Sequence, residues 1–260
     1  VSGRRIMSRL LDAIRVNNAI DNSWEEFLSK DLIDKIDNVE EKLVCNYTSC
    51  DSKVLRFLTV DLNKVKVIVF GQDPYPQKGV ATGRSFEVMG VESWTDLKLN
   101  NSLRNILKLL YRTYKAIEEG KAITEIENKG INKFKNDIGT NKFPIKALNE
   151  IFDYWEGQGV LFLNCSLTCE VNNPGGHLNY WDKFNKELVK YIINKRPDAK
   201  YFLWGEKVKN IISNIDDFKN VPDELIYECT HPANRNSKAK GNNFLESECF
   251  KDTMDEITWI

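Results

Sequence analysis

Short runs of consecutive apolar residues alternate with longer amphipathic stretches along most of the chain. Four of the runs are rich in β-branched and aromatic residues, which predicts buried strands at residues 65–70, 159–164, 199–204 and 224–229. Strands that alternate with helices are typical of an α/β fold. We therefore expect a single-domain three-layer α/β/α sandwich, in which a mainly parallel four-stranded central sheet carries helices on both faces.

The amphipathic stretches have apolar residues at three- and four-residue spacing, as on one face of a helix. The helices predicted in this way are residues 101–115, 181–194 and 207–215, with further helical segments between residues 6 and 46. Ser23 and Glu26 have the spacing of a capping box at the start of one of the N-terminal helices.

The stretch from residue 116 to 150 is charged and only weakly patterned, which predicts a helical or loop insertion on the rim of the fold. No internal repeat and no low-complexity linker interrupts the chain. The prediction is therefore one domain over residues 1–260, with an N-terminal helical layer over about 1–53 and a variable insertion over about 116–150.

Polar residues follow three of the predicted strands at the point where each strand ends. Asp73 lies just after the first strand, on a loop that Pro74 and Pro76 prevent from continuing as helix or strand. Asn164 ends the second strand and His231 follows the last one. Ligands of open parallel sheets bind beyond the carboxyl ends of the strands. We therefore expect these three side chains at one edge of the sheet.

Composition is ordinary for a soluble globular protein, with 42% hydrophobic and 29% charged residues. The formal net charge is −1, so the chain has no global positive field that would indicate nucleic acid. Any surface that binds DNA must therefore be a local basic patch, which is sufficient where only a few phosphates are contacted.

Six cysteines and two histidines are present, and no two cysteines form a C-x-x-C pair. This spacing argues against a zinc or iron–sulfur site, and we expect neither a metal nor an organic cofactor. Cys165, Cys169 and Cys229 lie in or beside apolar runs and are interpreted as small buried hydrophobic residues. Without a visible signal peptide or long apolar stretch, a cytoplasmic or other intracellular location, including a nucleus or an infected cell, is the expectation.

Five segments, in order along the chain, resemble the motifs of family 1 uracil-DNA glycosylases and together cover roughly residues 60–250. They are GQDPY at 71–75 with a Gly-rich turn and Ser-Phe after it, NSLRNI at 101–106, GVLFLN at 159–164 with Leu-Thr at 167–168, FLWG at 202–205, and HPA at 231–233. The resemblance implies a monofunctional DNA repair enzyme that hydrolyses the N-glycosidic bond of uracil in DNA. It would release free uracil and leave an abasic site.

The resemblance assigns catalysis to Asp73 and His231. A fixed carboxylate at Asp73 could orient water and stabilise an oxocarbenium-like sugar, although an Asp in such a loop could instead cap a turn. His231 would act as a neutral donor to the departing uracil anion. A lone histidine at a strand end is otherwise most simply read as a satisfied structural residue.

Four further residues would bind the base. The Asn164 amide suits the N3–H and O4 edge of uracil and would reject cytosine, although a strand-terminal Asn can also simply form a turn. Phe86 would stack on the extruded base, with core packing as the alternative. Tyr75 would exclude the methyl group of thymine. Gln72 completes this predicted substrate-binding set.

The base must be extruded from the DNA because the glycosidic bond is unreachable in an intact stack. In the resembled family a leucine four residues after the motif histidine wedges into the gap, and here that position is Arg235. Arg235 and Lys238 belong to a polar, basic loop that could grip the backbone or simply be solvated. Ser102 and Ser166 are further candidates for phosphate contacts.

Three positions depart from the family pattern, namely Pro76 in place of histidine, Ala233 in place of serine, and Arg235. Some viral members, notably poxviral ones, are similar at these positions, and in them the glycosylase also serves as a replication processivity component. The expected partner is uracil-containing DNA, single- or double-stranded, with no membrane and a monomeric state. A replication or inhibitor protein as partner is left open.

Two other functions are compatible with the same pattern. One is a glycosylase of the same fold that acts on another damaged base. The other is a DNA-binding replication scaffold that kept the fold, which the presence of Asp73 argues against. A nucleotide-binding α/β protein is disfavoured, because no G-x-G-x-x-G or P-loop pattern follows any strand.

Overall fold

A computed structural model describes residues 8–17, 19–44, 46–96, 99–128, 130–234 and 243–260 of the chain. The α-helices in these ranges are α1 (Arg9–Asn17), α2 (Lys30–Glu40), α3 (Asp51–Val54), α4 (Asn101–Glu119), α5 (Ile131–Gly139), α6 (Leu148–Gln158), α7 (Leu178–Lys195), α8 (Glu206–Ser213) and α9 (Cys249–Asp252). The strands are β1 (Tyr47–Thr48), β2 (Val67–Gly71), β3 (Val160–Asn164), β4 (Cys169–Glu170), β5 (Lys200–Trp204) and β6 (Ile226–Cys229). None of the helices in the described ranges has the length and apolar character needed to span a bilayer.

The central sheet has the strand order β3-β2-β5-β6, and all its neighbouring strands are parallel. This arrangement confirms the predicted parallel four-stranded sheet. Because the strands are parallel, their carboxyl ends meet at one edge, where Gly71 at the end of β2 is in register with Asn164 at the end of β3. β1 and β4 form a separate two-stranded antiparallel pair that the sequence pattern did not predict.

Both faces of the sheet are covered, which explains why its strands are continuous apolar runs rather than alternating ones. Ile68 and Phe70 pack on one face in a core that includes side chains of α1, α2, α7 and α8. Val67 and Val69 point to the other face, into a core that includes side chains of α4, α6 and α9. The helices therefore form the two outer layers of the predicted three-layer sandwich.

One local prediction needs correction, and of the two alternatives for residues 116–150 the structure has the helical one. The predicted capping box at Ser23 is wrong: Asp21 accepts the Ser23 amide at the start of a 3₁₀ turn, and Ser29 caps α2. The segment 116–150 is more ordered than its weak pattern indicated, because it completes α4 and contains α5 and the start of α6. Its Phe134 and Phe143 lie in the core, since they are 0% and 1% exposed.

Candidate active site

Asp73 lies on the loop that follows β2, at the carboxyl edge of the sheet. Its Oδ2 accepts hydrogen bonds from the backbone amide of Gly175, 102 residues further along the chain, and from Nε2 of Gln72 at 3.1 Å. The thiol of Cys169 also points to this oxygen, at 3.8 Å. None of these three donors lies in the turn that follows Asp73, so its Oδ2 is not used to cap that turn.

Two opposing effects act on the protonation of Asp73. Burial raises the pKa of its carboxyl above the ordinary value, because the charged form is desolvated. The hydrogen bonds from Gly175, Gln72 and Cys169 favour the carboxylate and oppose this rise, as does the positive charge of Lys207. The group is thus a partly desolvated carboxylate with its donors concentrated on one oxygen.

Asn164 ends β3 with its side chain almost fully buried, at 3% exposure. Its Oδ1 has no hydrogen-bond partner among the residues that the structure describes. Gly71, beside it in register, leaves the space for this amide, since a Cβ at Gly71 would overlap Oδ1 and come within 2.9 Å of Cβ of Ser85. A buried acceptor without a partner is costly, so this geometry points to a ligand that donates a hydrogen bond there.

Phe86 follows Ser85 and closes the site from another side. It adopts a positive φ of 65°, which is unusual for a residue with a side chain. Its ring lies 5.1 Å from that of Trp204 and 6.0 Å from that of His231, centroid to centroid. Because Phe86 is 7% exposed and contacts the core, both the stacking and the core interpretation agree with its position.

A buried ion-pair network fixes the loop that carries Phe86. Arg84, which is 6% exposed, donates through Nε and Nη2 to both carboxylate oxygens of Glu156 on α6, and Arg56 donates to the same two oxygens. Burial alone would raise the pKa of Glu156, but the hydrogen bonds and charges of the two arginines lower it to about 2. We name Arg84, Arg56 and Glu156 the loop clamp.

His231 lies on the loop after β6, packed against Gly205, where a Cβ would approach Cβ of His231 to 3.0 Å. Its Nδ1 accepts the backbone amide of Ala233 at 3.0 Å, so the proton of the neutral ring is on Nε2. Burial lowers the pKa of His231 and therefore favours this neutral form. The imidazole can act as an uncharged donor through Nε2.

Tyr75 lies between the two prolines of the loop and is fixed at both ends. Its carbonyl oxygen accepts the hydroxyl of Thr48 at 2.7 Å. The Tyr75 hydroxyl accepts a hydrogen bond from Nδ2 of Asn100 at 2.9 Å and donates one to the carbonyl oxygen of Phe86 at 3.4 Å. Burial raises the pKa of Tyr75 to about 12, against the opposing effect of hydrogen bonds to Asn100 and Ser102.

A cleft of about 680 Å³ borders this cluster, lined by Gln72, Trp204 and His231 together with residues of α8 and the end of β6. Asp73, Tyr75, Phe86 and Asn164 are not among its lining residues, so the cleft borders the cluster on the side of Gln72 and His231. The structure thus brings together the predicted Gln72, Asp73, Tyr75, Phe86, Asn164 and His231 at one edge of the sheet.

The predicted DNA contacts fare differently. The prediction for Ser166 is wrong for its side chain, because the residue is 0% exposed and its hydroxyl donates to the carbonyl oxygen of Thr168 at 2.7 Å. Ser102 lies in the first turn of α4 and is 7% exposed. Arg235 and Lys238 lie outside the described residues.

Three supporting residues were not predicted. Gly175 donates its amide to Asp73, Asn100 holds Tyr75, and Asn105 donates Nδ2 to the carbonyl oxygen of Pro232 at 2.5 Å. The Gly175-Gly176 pair and the Asn100-Asn101 pair are local signals of a turn and of a helix start. Neither signal shows which distant side chain the residue contacts.

The fold and the carboxylate, amide and imidazole at its edge define an α/β protein with a polar site at the carboxyl ends of its parallel strands. The sequence is similar to a uracil-DNA glycosylase of Borrelia duttonii, with 30% identity over 199 residues that cover 76% of this chain and 71% of the relative. A uracil-DNA glycosylase of Campylobacter hominis is 29% identical over 253 residues, 90% of this chain and 92% of the relative. The chain belongs to the uracil-DNA glycosylase family. No protein-family model matches it.

Solved structures share the fold. Wild-type UNG from Nitratifractor salsuginis superimposes with a TM-score of 0.67 and 19% identity, over 97% of this chain and 98% of that one. A variant of mimivirus UNG in complex with UGI has a TM-score of 0.61 and 20% identity, over 96% and 92% of the two chains.

Proposed function

We propose that the chain hydrolyses the N-glycosidic bond of uracil in DNA, releasing uracil and leaving an abasic site. The observation that carries the proposal is the buried Asn164 amide, whose Oδ1 has no partner in the described part of the chain. Uracil offers N3–H as a donor to this oxygen and O4 as an acceptor for the amide NH₂. Cytosine has neither pattern at these positions and would leave the amide unpaired.

Asp73 and His231 act on opposite charges of the same bond cleavage. As the bond between C1′ and N1 breaks, its electron pair leaves with uracil and the sugar becomes oxocarbenium-like. The Asp73 carboxylate stabilises that cation and orients the water that adds to C1′, and the proton that this water loses neutralises the departing uracil anion. The neutral His231 donates from Nε2 to the developing anion on a carbonyl oxygen of the base, in a desolvated site where such a bond is strong.

Phe86 and Tyr75 select the base by shape. Phe86 stacks on the extruded ring, and Tyr75 fills the space beside C5, where thymine carries a methyl group. DNA is therefore the proposed partner, with the base flipped out of the stack. A monomer is sufficient for this chemistry, because all the proposed groups belong to one chain.

The test is release of free uracil from single- and double-stranded oligonucleotides that contain one deoxyuridine, with alkaline cleavage at the abasic site as a second readout. We expect release from wild type. Asp73→Asn is the matched variant: it should lower turnover by roughly 10²- to 10⁴-fold while it keeps most DNA binding. Absence of release from both substrates by folded wild type would overturn the proposal. Parallel loss of binding and turnover in Asp73→Asn would make Asp73 a structural residue.

A further inference from the structure

The start of α4 is connected to the base site through hydrogen bonds to Tyr75, the main one from Asn100. Asn100 is the N-cap of α4, where its Oδ1 accepts the amide of Leu103 at 2.9 Å. The other end of the same amide, Nδ2, donates to the hydroxyl of Tyr75 at 2.9 Å. Capping needs only an oxygen acceptor, so the contact to Tyr75 is a separate use of this side chain.

The hydrogen bonds around Tyr75 have a consistent direction. The Asn100 amide donates to the Tyr75 oxygen, and the Tyr75 hydroxyl donates its own proton to the carbonyl oxygen of Phe86 at 3.4 Å. The Ser102 side chain, in the first turn of α4, also forms a hydrogen bond with the Tyr75 hydroxyl, and neighbouring hydrogen bonds of this kind strengthen one another. This series of hydrogen bonds ends at the carbonyl oxygen of Phe86, a residue whose backbone has a positive φ.

A steric filter works only if it stays in place. A ring held by its backbone alone can turn about its side-chain torsions and move its far edge away from an added methyl group. Pro74 and Pro76 stiffen the backbone on either side of Tyr75, and the hydrogen bonds of its hydroxyl fix the far edge of the ring. The phenol of Tyr75 thus has a role that the phenyl ring alone would not fulfil.

We propose that Asn100 is a positioning residue for base selection, which holds the Tyr75 ring against the C5 position and so makes rejection of thymine depend on the N-cap of α4. This inference rests on the proposed function, because it concerns which pyrimidine the site accepts. A 19-residue helix is a rigid support for such a contact.

The decisive variant is Asn100→Ser, which keeps a capping oxygen but removes the amide donor. We expect it to raise the ratio of thymine to uracil excision about tenfold, which lies within the range of selectivity that a pocket gains by excluding one methyl group. The rate of uracil excision itself should change little. Asn100→Ala should raise the ratio equally and also lower the denaturation midpoint. Asn101→Ser, one position further on, is the control and should leave the ratio unchanged.

A double-mutant cycle separates positioning from a general structural effect. Tyr75→Phe removes the hydroxyl with all its contacts and should raise the ratio at least as much as Asn100→Ser does. The double variant should show no rise beyond Tyr75→Phe, because that change already removes the contact to Asn100. Additive effects would overturn the inference, as would an increase with Asn100→Ala but not with Asn100→Ser. Unchanged ratios with normal uracil release would also overturn it and leave the proposed function intact. Absence of uracil release from wild type would overturn both.

Discussion

Asn164 shows at the scale of one residue how the site depends on its neighbours. The amide is 3% exposed, and the missing side chain of Gly71 creates the room that it occupies. A buried amide whose acceptor is unpaired lowers the stability of the fold, so the presence of Asn at this position is better explained by ligand binding than by folding. The same burial gives the residue its selectivity, because water does not compensate for a base with the wrong donors.

Replacing Asn164 by Asp should change which base is accepted. A carboxylate only accepts hydrogen bonds, so it gains a bond from the N4 amino group of cytosine and loses the bond that the amide donated to O4 of uracil, while it still accepts from N3–H of uracil. We expect the ratio of cytosine to uracil excision to rise by at least about a hundredfold, since a mispaired polar group is worth up to about 10⁴ in selectivity. Excision from matched oligonucleotides that contain each base measures the ratio.

Asn185→Asp is the control for that experiment. Asn185 is also buried, at 4% exposure, but it lies on α7, which carries none of the proposed site residues. Both substitutions introduce a buried carboxyl, and only Asn164→Asp should alter base preference. An unchanged preference in Asn164→Asp would remove Asn164 from the specificity assignment.

At the scale of elements, the loop clamp joins α6 to the loop that carries Phe86. Glu156 accepts from Arg84 and Arg56 at 2.7 to 2.9 Å, and its side chain is 16% exposed. Gly83 makes the approach feasible, because a Cβ there would lie only 2.5 Å from the carbonyl oxygen of Lys53. A buried ion pair of this kind holds geometry, and removal of one partner leaves charges uncompensated.

The clamp predicts a pH dependence of stability. The pKa of Glu156 is lowered from 4.5 to about 2 in the folded chain, so its contribution is present above pH 4.5 and is lost as the pH falls towards 2. Glu156→Gln should lower the free energy of unfolding by roughly 3 kcal/mol at pH 7, and by progressively less from pH 5 to pH 3. Urea denaturation at each pH measures this difference.

Glu150→Gln on the same helix provides the comparison, because Glu150 is exposed. Its effect on the free energy of unfolding should be within about 0.5 kcal/mol at every pH. If Glu156→Gln destabilised the chain by the same amount at pH 7 and pH 3, the ionised state of Glu156 would not be the source of the stabilisation.

The elements that the sequence pattern predicted well are the strands that are buried on both faces of the sheet. Every residue of β2 and β3 is buried, so their apolar runs carry a clear signal, and their parallel direction follows from the helices between them. Phe134 and Phe143 were missed because widely spaced aromatic residues in a charged segment leave no periodic signal. A periodic pattern therefore does not identify a core residue that has no apolar neighbours at helical or strand spacing.

The site was predictable to the same extent. Asp73, Asn164 and His231 each follow a strand, and parallel strands bring such residues to one edge. No such rule predicts contacts between distant segments. The hydrogen bond from the amide of Gly175 to Asp73 is one example. Arg84 is another, because the sequence does not show that Glu156 on α6 lies beside it. Side chains that support a site are set by tertiary packing, which spacing along the chain does not encode.

At the scale of the whole molecule, charge is the limiting property for DNA binding. A formal net charge of −1 provides no long-range attraction to DNA, so affinity must come from a few local cations. Two of those predicted, Arg235 and Lys238, lie outside the described residues, and their roles rest on the sequence. We nevertheless expect different roles for them. Arg235 should fill the gap that the extruded base leaves in the stack, and Lys238 should bind a phosphate.

Substitution of these two residues tests that difference. Only double-stranded DNA must be bent and its gap filled, so Arg235→Ala should lower uracil excision from duplex about tenfold more than from single strands, whereas Arg235→Leu should retain most duplex activity. Lys238→Ala should weaken binding to both substrates alike and reduce the slope of log affinity against log salt by about one unit. Excision rates on both substrates over a salt series measure all three variants. If Arg235→Ala instead lowered both rates equally and reduced the salt slope, Arg235 would bind phosphate, and extrusion of the base would depend on some other part of the surface.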